Sequence, residues 1–474
     1  MTSESPQVEA DRRLIAEAQA RGRGATALAY VRLSGPGWLQ SAITLGGGSL
    51  ANSLYLGVLT GFSMLWLQPL AMVLGIVMLG AIGYVTLSTG ERPFRAINEH
   101  VNPVLGWGWA LAALAANMVW CLPQFALANG VLQQNLAPDL LGADGPLGDT
   151  GAKVLIAGSV LVLTVAITWA YDSGHWGVRV YEALLKLMVA LIVLCFFGVV
   201  IAVSRSEEGL NFGAIAAGFV PRLSQLSEPA ATFQESLQAI RSSAGAAAAD
   251  FWSDRIVSEQ RSVMIGAAAT AVGINMTFLF PYTLLRRGWD KTFRGLAVFD
   301  LSTGMLIPFV MATSCVIIAS ATQFHVQPAP GFLGETDADG NAIAPAPKLA
   351  SNFDKLLAER AALDSETAWA ELDAEQRDAL VANIGNDERR LAATLVKRDS
   401  ADLALALEPL AGTVIANLVF GLGVLGMTLS TITILMLISG FAICEMLGLP
   451  DEGWPHRIGC LAAAVGALGP FIWG

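Results

Sequence analysis

Long uninterrupted runs of apolar residues are the feature that most constrains the fold of this chain. Nine such runs occur, each close to the ~20 residues that a helix needs to cross the hydrocarbon layer of a bilayer. Their approximate bounds are 35–60, 63–88, 104–134, 153–171, 178–203, 262–285, 297–322, 410–443 and 457–474. The strands of a membrane β-barrel would instead alternate apolar and polar residues. The runs therefore predict an all-α, polytopic membrane protein.

The composition supports the same class of protein. Of the 474 residues, 54% are hydrophobic and only 14% are charged, against about 25% charged residues in an ordinary soluble protein. Much of the net charge of −11 comes from residues 335–408, which hold 16 acidic and 8 basic side chains. No basic patch for nucleic acid results. We expect a lipid bilayer as a partner, and no nucleic acid.

Catalytic chemistry has no support in the spans. None of them holds a nucleophile–base pair, a His/carboxylate cluster or a cofactor motif. We therefore expect neither an enzyme nor a bound cofactor.

The Lys and Arg residues of the short connections predict the orientation of the chain. They precede the first run and follow the second, fourth and sixth runs, whereas the first connection has none and the third has only Lys153. The N-terminus is therefore expected in the cytoplasm, with the protein in the plasma membrane, most simply the inner membrane of a bacterium.

The runs also predict the organisation of the chain into segments. These are a cytoplasmic N-terminal segment at 1–33, spans one to five at 34–203, an extracytoplasmic insert at 204–261, spans six and seven at 262–322, an acidic helical extracytoplasmic insert at 323–409, and spans eight and nine at 410–474. The ninth run has barely reached spanning length where the chain stops. We therefore expect the chain to be truncated after about nine spans.

Three consecutive glycines stand near the middle of the first run. Gly46, Gly47 and Gly48 each cost about 1 kcal/mol relative to alanine in a helix interior, so together they favour an interruption of the helix. Backbone groups freed at that depth must line protein or a wet cavity, and many secondary transporters bind their substrates with such groups. Close packing of helices through small residues is the alternative explanation.

The sixth run contains a second set of helix-interrupting residues. Gly273, Asn275, Thr277 and Pro281 interrupt an otherwise apolar stretch at similar depth. Two interrupted spans, five spans apart, are typical of an inverted-repeat transporter. We therefore predict a substrate site between the two interruptions. The predicted substrate-binding residues are Gly46, Gly47, Gly48, Ser49, Gly273, Ile274, Asn275, Met276 and Thr277.

Several motifs resemble those of NRAMP-type (natural resistance-associated macrophage protein) metal-ion transporters. They are GPGWLQSA in the first run, Leu-Ser-Thr-Gly-Glu at the end of the second, Gly177-Val-Arg-Val-Tyr-Glu-Ala-Leu in the fifth, Asp300 in the seventh, and Thr428-Leu-Ser-Thr-Ile-Thr in the eighth. The likeness extends from about Ser34 to the C-terminus, outside the two inserts. The resemblance implies a LeuT-type fold of two inverted five-helix repeats, with an ion held between broken first and sixth helices.

The chain departs from this family's pattern at the residues that matter for metal binding. The family's first helix breaks at Asp-Pro-Gly-Asn, which matches residues 46–49 here, so the metal-binding Asp is replaced by glycine. In the sixth helix, the family's methionine and histidine match Ile274 and Met276. The acidic pair that the family links to proton movement matches Asn117 and Trp120, neither of which titrates. The resemblance thus implies a transporter with weak or absent proton coupling.

These departures shape the predicted function. Backbone carbonyls, with Ser49 and Asn275 as the candidate metal ligands, suit a hard ion that keeps part of its water, such as Mg²⁺. We therefore expect transport of a metal cation, with Mg²⁺ favoured, by alternating access. A small organic solute on the same scaffold and a non-transporting sensor or interaction protein are the alternatives. The candidate pathway or gating residues are Asn117, Trp120, Asp300, Thr428 and Thr431.

Overall fold

The computed structural model describes residues 6–171, 175–205, 209–336, 340–365, 368–398, 402–404, 412 and 414–472. The end of the second predicted insert at 405–409 and the last two residues of the chain lie outside these ranges. Among the described residues the backbone forms helices and turns, with one isolated β-bridge between Thr336 and Ala342.

The first half of the chain forms ten α-helices within the described ranges. They are α1 (Pro6–Arg21), α2 (Arg23–Leu33), α3 (Pro36–Thr44), α4 (Gly47–Thr60), α5 (Leu67–Thr89), α6 (Pro93–His100), α7 (Pro103–Val131), α8 (Pro138–Leu141), α9 (Gly148–Ala170) and α10 (His175–Ser204). A π-helical turn, Leu132–Leu136, extends α7.

The second half contributes the helices that complete the bundle and those that lie outside it. They are α11 (Phe212–Gly218), α12 (Gln234–Ser243), α13 (Ala246–Ala271), α14 (Ile274–Arg286), α15 (Arg294–Gly304), α16 (Leu306–Phe324), α17 (Pro347–Ala361), α18 (Ala374–Ala382), α19 (Asn386–Leu395), α20 (Phe420–Leu447) and α21 (Trp454–Cys460).

Proline and glycine fix several of these helix ends. Pro36, Pro93 and Pro103 each occupy the first turn of a helix, where the missing N–H removes no helical hydrogen bond. Gly90 and Gly448 follow α5 and α20 with φ of 73° and 64°, a left-handed conformation that glycine adopts without strain. The long apolar helices therefore stop where the sequence changes to polar connections.

The described part of the chain has seven helical segments that are long and apolar enough to cross a membrane. They are Leu67–Thr89, Pro103–Leu136, Gly148–Ala170, Ala183–Ser204, Ala246–Arg286, Lys291–Phe324 and Ala416–Leu447. The bent pair α3 and α4 makes an eighth span if it is counted as one. The protein is thus an integral membrane protein.

Two segments differ from the predicted runs. The sixth span begins at Ala246, well before the predicted 262. The first turns of α13 are polar and pack against the extramembrane helices, so they do not belong to the apolar run from which the span was predicted. The ninth run forms α21, a 3-10 segment Leu461–Leu468 and a short helix Gly469–Ile472. It is not among the continuous spanning helices of the described residues.

Both predicted helix interruptions are present. The chain bends by 56° between α3 and α4, and α13 ends at Ala271 before α14 begins at Ile274. The residues that precede the second helix of each pair are glycines in extended conformation, Gly46 and Gly273. The predicted all-α membrane bundle with broken first and sixth spans is therefore confirmed.

Ion pairs join the loops at the end of the bundle where α1 lies, here called the N-terminal face. Arg12 pairs with Asp290 at 3.1 Å. Arg92, between α5 and α6, pairs with Glu445 at 2.8 Å and with Asp451 at 3.0 Å. At this face α1 is thus tied to the segment after α14, and the segment after α5 is tied to the end of α20 and the turn that follows it.

The opposite end of the bundle is covered by one folded domain, here called the cap, made of residues 212–260 and the described residues of 329–398. The two polar inserts, predicted separately, contribute to it together. Trp252 from the first donates to the Glu388 carboxylate of the second at 2.8 Å, and Arg360 donates to the same oxygen at 2.6 Å. The cap contacts the bundle through the Tyr55 hydroxyl, which donates to the Leu395 carbonyl at 3.1 Å.

We predict that Glu388→Ala destabilises the cap by about 3–5 kcal/mol, because it leaves the buried Arg360 Nε and the Trp252 indole N–H without their acceptor. Thermal or urea unfolding followed by tryptophan fluorescence measures this. Asp364→Ala is the matched control, since Asp364 pairs with the same arginine at 2.8 Å but is 57% exposed, and it should cost at most about 1 kcal/mol. Equal losses in the two variants would contradict the role of Glu388.

Candidate functional site

A cavity lies where the two helix interruptions face each other inside the bundle. Its volume is ≈ 40 Å³, which is room for about three water molecules at ~10–15 Å³ each. The lining comes from α3, α4, α7, α13, α14 and α20. The lining residues are Ile43, Gly46, Gly48, Ser49, Trp120, Gln124, Ala269, Thr270, Gly273, Asn275, Met276, Thr431 and Leu435.

The C-terminal ends of two helices meet at Ser49. Its hydroxyl donates to the Thr44 carbonyl at 2.5 Å and lies 3.3 Å from the Thr270 carbonyl. Thr44 ends α3 and Thr270 lies in the last turn of α13. The terminal carbonyls of a helix carry the negative end of its dipole. Two negative helix ends therefore converge beside the cavity.

The N-terminal ends of α4 and α14 are occupied by amide side chains. The Gly47 N–H donates to Gln124 Oε1 at 2.9 Å, and the Met276 N–H donates to Asn275 Oδ1 at 3.0 Å. Asn275 also donates from Nδ2 to Asn117 Oδ1 at 3.0 Å. Neutral oxygens thus cover the positive helix ends, while the last carbonyls of α3 accept from hydroxyl groups, among them those of Ser49 and Ser430.

The small size of two glycines keeps the cavity open. A Cβ on Gly46 would lie 2.8 Å from Thr431 Oγ1, and a Cβ on Gly48 would lie 2.9 Å from Trp120 Cζ3 and 3.0 Å from Thr270 Cγ2. Thr431 Oγ1 is buried and has no hydrogen-bond partner in the described part of the chain. A bound ligand can therefore gain a hydroxyl oxygen there without displacing another contact.

Some of the predicted site residues line the cavity, and others lie outside it. Those in its wall are Gly46, Gly48, Ser49, Trp120, Gly273, Asn275, Met276 and Thr431. Gly47 is adjacent and packs toward Gln124 and Leu127. Ile274 is 41% exposed and outside the wall. Met276, two positions later, places a thioether side chain there instead.

The other predicted residues have different surroundings. Thr277 accepts from the Trp109 indole at 3.0 Å and donates to the Ile274 carbonyl at 2.5 Å. Thr428 donates to the Leu425 carbonyl of its own helix at 2.8 Å. Asn117 reaches the site only through Asn275.

The prediction from sequence did not include five lining residues, which are Ile43, Gln124, Ala269, Thr270 and Leu435. Gln124 had a detectable signal, because it follows Trp120 by four residues and so shares its helix face. None of the lining residues is Asp, Glu, His or Cys. The described residues also contain no group of three or more His, Cys, Asp and Glu that would hold a metal ion.

Asp300 belongs to α15 and lies away from the cavity, with its side chain against the start of α3. Its buried carboxylate accepts from the Ser34 hydroxyl, from the Gly35 N–H at 3.0 Å and from the Gly37 N–H at 2.6 Å. A Cβ on Gly37 would lie 2.2 Å from the Asp300 carbonyl oxygen. We call this the Asp300 contact. The Asp300 contact attaches the start of α3 to α15, and the other end of α3 reaches the cavity.

Comparisons with known proteins agree on one family. The family model described as natural resistance-associated macrophage protein-like matches residues 37–339. Metal transporter Nramp2 of Oryza sativa subsp. japonica is 27% identical over 188 residues, which is 38% of this chain and 30% of that protein. Natural resistance-associated macrophage protein 1 of Homo sapiens is 25% identical over 180 residues, 37% of this chain and 29% of that protein. The match with these curated relatives thus spans about a third of their length.

A manganese transporter of Eremococcus coleocola, solved in complex with an aromatic bis-isothiourea substituted compound, is similar over most of the chain. The match covers 94% of this chain and 86% of that one, with a TM-score of 0.47 and 13% sequence identity. A second structure of the same transporter gives a TM-score of 0.43 with the same coverage.

Proposed function

The chain belongs to the natural resistance-associated macrophage protein-like family, and from that premise we propose that it transports a divalent metal cation across the membrane by alternating access. The observation that carries the proposal is the cavity between two broken spans, where the carbonyl ends of α3 and α13 converge on Ser49. The relatives' names as metal transporters support a metal as the substrate.

We propose Mg²⁺ as the favoured ion. The polar atoms around the cavity are oxygens and amide nitrogens of neutral groups, and Ser49 and Asn275 are the candidate side-chain ligands. Mg²⁺ binds oxygen and gives up its water reluctantly, so a site of ≈ 40 Å³ suits an ion that keeps some of its waters. The Met276 thioether in the wall is the one feature that favours a softer ion.

An organic zwitterion is the second candidate within transport. Its carboxylate would bind the N-terminal ends of α4 and α14, as helix N-termini do in other transporters. Gln124 and Asn275 already accept from the Gly47 and Met276 N–H groups at those ends, which favours the cation. A non-transporting sensor is expected to have an unbroken first helix without a cavity, so the break and the cavity argue against it.

Proton coupling is proposed to be weak or absent. Asn117 and Trp120 stand where the family has its acidic pair, and the lining contains no titratable group. An imposed pH gradient should therefore change the rate of uptake little.

We infer the orientation from the charges of the connections. Arg92, Arg286 and Arg294 lie at the N-terminal face, and positively charged loops remain in the cytoplasm. The N-terminus is then cytoplasmic, in a bacterial inner membrane or another plasma membrane, and the cap is extracytoplasmic. The Asp300 contact then lies on the cytoplasmic side of the cavity, where it serves as an inner gate.

Filling the cavity should stop transport without preventing membrane insertion. We predict that Gly48→Val lowers Mg²⁺ uptake into proteoliposomes by on the order of tenfold or more, because its side chain collides with Trp120 and Thr270. Gly108→Val is the matched control, since no atom lies within 4 Å of a Cβ there. Normal uptake by Gly48→Val would remove this cavity from the pathway.

Weakening the Asp300 contact should open the cavity toward the cytoplasm. We predict that Asp300→Ala raises the rate at which a thiol reagent labels Thr431→Cys from the cytoplasmic side. Hydrogen bonds to a charged group are worth about 1.5–3 kcal/mol, so the increase should be on the order of tenfold or more. The five native cysteines are all buried and give a low background.

Asp290→Asn is the control for this experiment, because it removes one negative charge at the same face from a partly exposed ion pair with Arg12. Its effect on labelling should be small. An equal increase in both variants, or no increase in Asp300→Ala, would show that the Asp300 contact does not gate the cavity.

A further inference from the structure

A second cavity lies outside the site described above, where the cap meets the bundle. Its volume is ≈ 70 Å³. It is bounded by the outer part of α4, the middle of α13, α17 and the segment after α19. The lining residues are Tyr55, Arg255, Glu259, Asn352, Lys355, Leu356, Leu395, Val396 and Lys397.

The charged side chains of this cavity are mostly cationic. Arg255, Lys355 and Lys397 line it, against one carboxylate, Glu259. The positive charge of this cavity contrasts with the negative charge of the sequence around it, because residues 335–408 contain 16 acidic and 8 basic side chains. Three positive charges have therefore been gathered at one point of an otherwise acidic domain.

The ion pairs around the cavity do not neutralise all of its positive charge. Arg255 pairs with Glu259 at 2.9 Å and with Glu359 at 2.5 Å, and Lys397 lies 3.5 Å from the same Glu259. Lys355 makes no ion pair with any described residue. The two carboxylates are thus shared among two of the cations, and the third has none.

A buried donor of the same cluster also lacks an acceptor. Arg255 Nε is inaccessible to solvent and has no hydrogen-bond partner in the described part of the chain. An unsatisfied buried donor costs about 1–3 kcal/mol. The Tyr55 hydroxyl already donates to the Leu395 carbonyl, and the Tyr55 ring lies 5.4 Å from Lys397 Nζ. The cavity wall therefore holds a buried donor without an acceptor in the described part of the chain, together with a surplus of positive charge.

We propose that this cavity binds a small inorganic oxyanion of the size of phosphate or sulfate. Its volume of ≈ 70 Å³ exceeds what a single water needs, and Arg and Lys donors form short, charge-assisted hydrogen bonds with such oxygens. The anion would contact α4 and α13, the outer halves of both broken spans, together with α17 of the cap. Its binding would hold these three parts together. This inference does not depend on the ion that is transported.

The experiment measures thermal unfolding of the purified full-length chain in detergent. Inorganic phosphate and sulfate are each compared with chloride and acetate at matched ionic strength. We expect phosphate or sulfate to raise the unfolding temperature in a saturable way, beyond the effect of chloride or acetate. Lys355→Gln and Lys397→Gln should each weaken the apparent affinity by on the order of tenfold.

Two variants serve as controls for the loss of charge. Lys355→Arg keeps the charge and should retain the shift. Arg390→Gln removes one charge from an exposed position of the cap that does not line the cavity, and it should also retain the shift. Lys355 is exposed, so Lys355→Gln is expected to fold normally.

The contrary outcomes are distinct. Equal stabilisation by all four salts, or no stabilisation by any, would overturn the proposal. A phosphate shift that is unchanged in both Lys355→Gln and Lys397→Gln would place the anion elsewhere and also overturn it. An acetate shift as large as that of phosphate would overturn the assignment to an inorganic oxyanion.

Discussion

A peptide group in the middle of a bilayer has no water to bond with, so a helix can be interrupted there only where other protein groups or enclosed water receive the freed N–H and C=O groups. The two interruptions of this chain meet that requirement with neutral side chains. The Ser49 hydroxyl donates to the last carbonyl of α3. The Gln124 side chain accepts from the first N–H of α4, and the Asn275 side chain accepts from an N–H at the start of α14. The Ser49 hydroxyl, 3.3 Å from the Thr270 carbonyl, joins the two interruptions, and the cavity lies between them.

Neutral partners leave the helix dipoles as the main electrostatic feature of the site. Each helix end carries roughly half an elementary charge, so the C-terminal ends of α3 and α13 together present about one negative charge beside Ser49. The two positive ends are covered by the amide oxygens of Gln124 and Asn275. Because a carboxylate is missing from the described lining, we propose that a cation keeps part of its hydration at the site, which suits a strongly hydrated ion.

The parts of this arrangement that depend on local sequence could be predicted, whereas those that depend on distant contacts could not. Three consecutive glycines, Gly46 to Gly48, disfavour helix strongly at one point, and Gly273 stands beside the polar Asn275, so both interruptions could be predicted. Thr270 could not be predicted as a lining residue, because an isolated threonine in an apolar helix does not reveal which partner it faces.

The early start of α13 could not be predicted either, because its polar turns are stabilised by distant contacts such as that of Trp252 with Glu388. Asp300 was recognised as a gating candidate, yet its hydrogen bonds to the start of α3 join residues more than 260 positions apart.

We propose that two helix ends, and no charged side chain, hold the transported ion. Competition between Mg²⁺ and Cd²⁺ during uptake into proteoliposomes tests it most directly, because Cd²⁺ prefers soft ligands and Mg²⁺ prefers oxygen. We expect Mg²⁺ to accumulate at a rate that equimolar Cd²⁺ does not reduce. Inhibition by Cd²⁺ at concentrations far below that of Mg²⁺, with accumulation of Cd²⁺ itself, would contradict this proposal, because it would require a soft ligand such as the Met276 thioether.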